Sequence, residues 1–157
     1  MHFVRFAQFA IVAVTSLFIG SSAQAVAVMY GTYYDESVTP SCMSGGAACT
    51  VAFSQLPPNK LLLVTHVACF AQTTSPIVFA TLGIFTAPTS GTLQRDYPLQ
   101  LPQPVQAGSV YYTQISHPVN FLIGQSRYPH VAIAAAATTN AWAIKCTISG
   151  TLINPIP

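Results

Sequence analysis

The chain has 157 residues, of which 52% are hydrophobic and only 5% charged, with a formal net charge of +2. So sparse a charge cannot displace counterions from a phosphate backbone, which argues against nucleic acid as a partner. So apolar a composition argues against disorder, and weak repulsion between copies favours a homo-oligomer.

The chain opens MHFVRFAQFAIVAVTSLFIGSSAQA. Arg5 precedes an apolar stretch from Phe6 to Ile19, and small residues follow up to Ala23-Gln24-Ala25. This layout predicts a secretory signal peptide over residues 1–25, removed after Ala25. The apolar run is short for a spanning helix, which needs about 20 residues. The longest later run, Leu61 to Ala71, is shorter still and contains Thr65 and His66. The expectation is one exported domain over residues 26–157, periplasmic or secreted, with no membrane span after signal cleavage.

Tyr30, Tyr33 and Tyr34 come first, followed by Asp35 and Glu36. Adjacent carboxylates diverge in a strand, and in a turn they are solvated loop charges. Next comes Cys42 to Cys49, with Gly45-Gly46 between them to ease bending. A bridge here would contribute about 2.5 kcal/mol.

LPPNKLLLVTHVACFAQ, residues 56 to 72, reads as a long strand after a proline turn. Simple alternation groups Leu61, Leu63, Thr65, Val67 and Cys69 on one face, and Leu62, Val64, His66, Ala68 and Phe70 on the other. His66 and Cys69 then diverge and cannot share a metal without a bulge. PIVFATLGIFTAP is apolar on both parities, with Ile77, Phe79 and Phe85 opposed to Val78, Ala80, Leu82 and Ile84. Such a strand is covered on both faces, by loops or by a second subunit. TLQRDYPLQL alternates, with Leu93, Tyr97, Leu99 and Leu101 facing inward and Arg95 snorkelling from the apolar side.

After Gly108 a strand starts at Tyr111-Tyr112, which puts one of the two tyrosines outside. HVAIAAAATT has helix propensity in Ala134 to Ala137, yet it reads as a strand of small side chains. In the last strand Trp142, Ile144, Cys146, Ile148 and Leu152 share a face, while Lys145, Thr147, Ser149 and Thr151 turn away. Close turn signals around short β-rich runs predict an antiparallel β-sandwich, jelly-roll-like, of about eight strands.

The four cysteines of an exported chain read as two disulfides, for which three pairings are open. If Cys69 points inward to meet Cys146, their bridge would close a long loop and contribute about 4–5 kcal/mol. No C-x-x-C motif is present, and the three later histidines, His66, His117 and His130, lack metal-ligand spacing. No metal, no cofactor and no catalytic residue is expected. Only Asp35, Glu36 and Asp96 are available for acid–base work, and no G-x-S-x-G occurs. A histidine-dependent hydrolase is the least favoured reading. Tyr111, Tyr112, Tyr33 and Tyr34 are the ligand-binding candidates, because exposed tyrosines stack on sugars or anchor protein contacts.

PPNKLLLVTHVAC and the closing run Cys146-Thr147-Ile148-Ser149-Gly150-Thr151-Leu152 resemble small secreted proteobacterial β-sandwich proteins of unknown function. The resemblance covers most of residues 51 to 153 and departs at Asn59, where that group has glycine. It implies an antiparallel sandwich with a bridge from the first long strand to the last, and it implies no activity. The resulting reading is a domain stapled by Cys42–Cys49 and Cys69–Cys146 that binds a glycan, another cell-surface component or a protein. A self-assembling envelope subunit is the alternative.

Overall fold

Branched and aromatic side chains pack well on a pleated surface, and turn-formers separate them here into short runs. The computed structural model describes residues 27–88, 91–140 and 142–155; the predicted leader lies outside the described residues. The strands are β1 (Val28–Tyr30), β2 (Tyr33–Val38), β3 (Gly46–Ala52), β4 (Leu61–Thr73) and β5 (Ile77–Phe85). They continue as β6 (Leu93–Pro98), β7 (Val105–Ala107), β8 (Val110–Ile123), β9 (Tyr128–Thr139) and β10 (Trp142–Ile153). The alanine run is indeed strand, inside β9. Among the described residues no helix is long and apolar enough to cross a membrane.

A six-stranded sheet, in the order β1-β2-β10-β4-β8-β7, stacks with a four-stranded sheet, β3-β9-β5-β6, and all pairings are antiparallel. Without the three-residue strands β1 and β7, the orders become β2-β10-β4-β8 and β3-β9-β5-β6. Apart from the β5–β6 hairpin, each successive long strand then changes sheet. That is jelly-roll topology, with β1 and β7 added at the two edges of the larger sheet.

The core is one apolar layer between the sheets. Leu62, Val67, Ile115, Ile123 and Ile148 of the larger sheet face Val51, Leu82, Val131 and Ile133 of the smaller, all at most 1% exposed. Cys69 and Cys146 lie directly opposite each other on β4 and β10, 4.1 Å apart at Cα, and are bonded. Cys42 and Cys49 form the second disulfide. Two disulfides suit an oxidising, extracytoplasmic compartment.

Three strands depart from simple alternation. In β4, Leu62 and Val64 point inward together with Val67 and Cys69, whereas Leu61 and Leu63 are half-exposed. The cause is a bulge at Thr65: the β4–β8 register shifts between Val64 and His66, and the β4–β10 register shifts opposite Ser149/Gly150. One extra residue exchanges the two faces of everything beyond it. Gly150 makes this bulge possible, since a Cβ there would lie 2.1 Å from the Leu63 carbonyl oxygen.

A second bulge, between Ile77 and Phe79, divides β5. Ile77, Ala80, Leu82 and Ile84 face the core, while Val78 and Phe79 are exposed, so no loop among the described residues covers them. At the other end of the same outer face Gly83 is buried and Phe85 half-buried. In β6 the expected parity breaks at Leu93: the β5–β6 register shifts between Ile84 and Phe85, so Leu93 pairs with outward Phe85 and is exposed, whereas Tyr97 pairs with inward Leu82 and is half-buried. Arg95 lies over the Phe121 ring, 4.4 Å from its centroid, and donates to the Leu122 carbonyl.

Asp35 and Glu36 sit in β2 and not in a turn, so they diverge. Glu36 is 2% exposed, at odds with a solvated loop charge. It accepts hydrogen bonds from the Tyr34 hydroxyl (2.5 Å), the Ser54 amide (3.1 Å) and the Ser54 hydroxyl (2.8 Å). A buried carboxylate is tolerated when donors replace water. Here they tie β2 to the segment that follows β3.

Candidate functional site

The outer face of the six-stranded sheet is built by the parity set beyond the bulge. Inward Val67, Cys69 and Ala71 leave His66, Ala68, Phe70 and Gln72 of β4 pointing out. Inward Thr113 and Ile115 leave Tyr112, Gln114 and Ser116 of β8 on the same face. From β10 come Ala143, Lys145, Thr147 and Ser149, as the sequence reading expected.

These positions line up in rows across the strands. One row holds Ala143, Gln72, Tyr112 and Val105, and the next holds Lys145, Phe70 and Gln114. A third holds Ser37, Thr147, Ala68 and Ser116. The side chain of Ala68 is short, so a depression of about 210 Å³ opens over it, walled by Phe70, Gln114, Ser116, Lys145 and Thr147. That is below the roughly 300–1,000 Å³ of drug-sized pockets, and suits a single small ring lying on the sheet.

Phe70 is 46% exposed. Its ring meets that of Tyr112 on the next strand, with centroids 6.3 Å apart and planes tilted by 38°. Hydroxyls border the depression: Ser37 Oγ and Thr147 Oγ1 are 2.5 Å apart, and Ser116 Oγ shares a 3.1 Å hydrogen bond with His66 Nε2. The Lys145 ammonium has no hydrogen-bond or ion-pair partner among the described residues. The surface thus offers an aromatic platform, two amides (Gln72 and Gln114), several hydroxyls and one cation.

The four candidate tyrosines do not form one site. Tyr112 is on the platform, half-buried beside Phe70. Tyr111 has the opposite, inward parity, so one of the pair does face out. Tyr33 is 49% exposed on the same sheet, but in the row of Thr151, not that of Ala143. Those rows are roughly 26 Å apart at the rise of a strand. Tyr34 points into the core at 2% exposure, so it offers no surface to a ligand. Burial, then the bonded and charged Glu36, push its phenol well above the usual tyrosine range. Phe70 is the residue that reasoning over tyrosines missed. It shares parity with His66, and a strand that turns His66 outward turns Phe70 outward too.

The three histidines occupy three different layers. His66 is on the outer face of the larger sheet. His117 has inward parity on β8, with its ring 6.0 Å from that of Tyr97. His130 belongs to the outer face of the smaller sheet, yet is 2% exposed. Its Nε2 donates to the Pro88 carbonyl (2.8 Å), its Nδ1 faces the Tyr128 carbonyl (3.1 Å), and Phe85 packs on the ring at 4.3 Å. The segment after β5 therefore covers part of the smaller sheet. Among the described residues no three His, Cys, Asp or Glu side chains converge on a metal site. Asp35 shares a row with His66, but β10 separates them by roughly 10 Å at strand spacing.

No protein-family model matches the chain, and no curated protein matches it.

Proposed function

We propose that this is an exported, non-enzymatic binding module whose ligand is a glycan, held across the outer face of the six-stranded sheet. The observation that carries this reading is the Phe70–Tyr112 platform at the edge of the Ala68 depression, ringed by amide and hydroxyl groups. An aromatic face carries a negative quadrupole that attracts the C–H face of a pyranose. The amides of Gln72 and Gln114 both donate and accept, as sugar hydroxyls require. Long central strands hold these groups on a backbone that is already ordered, so binding carries no backbone-ordering cost.

Export, to the periplasm or beyond the cell, is supported by the signal-peptide pattern of residues 1–25 and by the two disulfides. The resemblance to small secreted proteobacterial proteins points the same way. The test is binding of the mature, oxidised domain to a broad glycan array beside a Phe70→Ala/Tyr112→Ala double variant. Binding that the double variant loses is the expected result. Binding unaffected by it, or no binding to any glycan, contradicts the proposal.

One observation favours a second reading, self-assembly. Val78 and Phe79 are exposed by 58% and 49% side by side, a small apolar patch on a weakly charged protein. Sedimentation across a concentration series checks it: a homo-oligomer that a Phe79→Asp variant disperses supports it, and a monomer at high concentration ends it.

A further inference from the structure

The charge of the ligand can be read from the same surface, provided that the glycan reading holds. Lys145 stands in the row of Phe70 and Gln114, directly across from Phe70 on the neighbouring strand, and forms one wall of the depression. The other five walling or floor side chains, Ala68, Phe70, Gln114, Ser116 and Thr147, are uncharged. Among the described residues no carboxylate neutralises the ammonium. Asp35 is the acidic residue on this face, and its row is that of Ser149, roughly 13 Å along β10 from Lys145.

An unpaired ammonium beside an aromatic platform has a specific chemical complement. A sugar ring that stacks on Phe70 and Tyr112 places its exocyclic substituents around the rim of the platform. A neutral sugar could offer the ammonium only uncharged hydroxyl acceptors. A ring that bears a carboxylate or a sulfate would complete a charge-assisted hydrogen bond with Lys145 while Gln114 meets a neighbouring hydroxyl. We infer that the site selects an anionic saccharide, with Lys145 as the residue that sets the preference.

The test compares matched probes on the full mature domain by isothermal titration. The probes are oligogalacturonate, its carboxyl methyl ester, and a sulfated galactan oligosaccharide beside its desulfated form. The variants are Lys145→Gln and Lys145→Arg. The expected result is that one charged probe binds about 10-fold more tightly than its neutralised counterpart, the size of one charge-assisted contact. Lys145→Gln should erase that difference, Lys145→Arg should keep most of it, and added salt should weaken it. The carboxylate and sulfate pairs show which anion is meant. Equal binding of charged and neutralised probes, or a preference that survives Lys145→Gln, would overturn the inference and leave the glycan reading intact. No binding of any probe, charged or neutral, would overturn the inference, while the glycan reading is decided by the broad array. Lys145 is exposed on the strand surface, so neither variant threatens the fold.

Discussion

The two outer faces of this sandwich are made from the same kind of strand, yet they differ in what they offer. Each carries a phenylalanine of nearly equal exposure, Phe70 at 46% and Phe79 at 49%. Each also carries a histidine. Around Phe70 stand Lys145, Gln114 and Tyr112. Around Phe79 stand Ala134 and, beyond it, Ala48. Exposure of an aromatic ring is therefore no guide to a site by itself. What separates the two faces is whether adjacent strands supply hydrogen-bonding groups within reach of the ring. His66 is open on the first face, while His130 is sealed beneath the Pro88 segment on the second.

The sharpest contrast between the two sheets is in their glycines. Gly150 seats the bulge that turns Phe70 outward, and a Cβ there would collide with the backbone of Leu63 and Val64. A Gly150→Ala variant should lose about 4 kcal/mol or more, or fail to fold. On the smaller sheet a Cβ at Gly83 would meet the end of the exposed Leu93 side chain at 3.0 Å, which can swing aside. Gly83→Ala should cost less than about 1.5 kcal/mol. Urea denaturation of both variants checks the pair; similar losses would contradict the role given to the bulge.

The histidines give a smaller difference of the opposite sense. His130→Ala removes a buried ring and its bonds to the Pro88 segment, and should cost about 2–3 kcal/mol. His66→Ala, on the ligand face, should stay within about 0.5 kcal/mol. The same denaturation series reads both, and a stability loss at His66 equal to that at His130 would break the comparison.

A third experiment probes the inner side of the larger sheet. The Tyr34 phenol is held protonated in the fold, by burial first and by Glu36 second. In the unfolded chain it titrates near the ordinary tyrosine value of about 10. Above that pH the unfolded state releases a proton that the native state keeps, so stability falls as pH rises. Below it the contribution is fully present. Denaturation midpoints at pH 9 and pH 11 should therefore diverge in the natural protein and diverge less in Tyr34→Phe. Equal divergence in both would contradict this account of the Glu36 cluster.

Much of the architecture was legible in residue order. Alternation in the last strand gave the inward set Ile144, Cys146 and Ile148 and the outward set Lys145, Thr147 and Ser149, because β10 runs with unbroken parity. The long first strand was legible only after its bulge. Its faces exchange at Thr65 through pairing with β8 and β10, partners far away in sequence. Alternation counts residues along one chain and cannot register such a shift. The same reason hid the exposure of Val78 and Phe79. Glu36 escaped notice because two of its donors, the Ser54 amide and hydroxyl, come from a segment distant in sequence, and the third, Tyr34, is itself buried. Tyr34 looked like a surface residue because its neighbour Tyr33 is one; the two alternate across the sheet. The platform was half legible, through Tyr112, and Phe70 was within reach of the parity that turned His66 outward.

The measurement that tests the account most directly sets the two faces against each other. Phe70→Ala and Phe79→Ala variants, matched in exposure and in chemistry, are placed beside the natural domain on one glycan array. Phe70→Ala should lose binding, by about 10-fold or more if stacking supplies a typical aromatic share, while Phe79→Ala should bind as before. Binding that disappears with Phe79→Ala and survives Phe70→Ala would place the site on the other face and contradict the account.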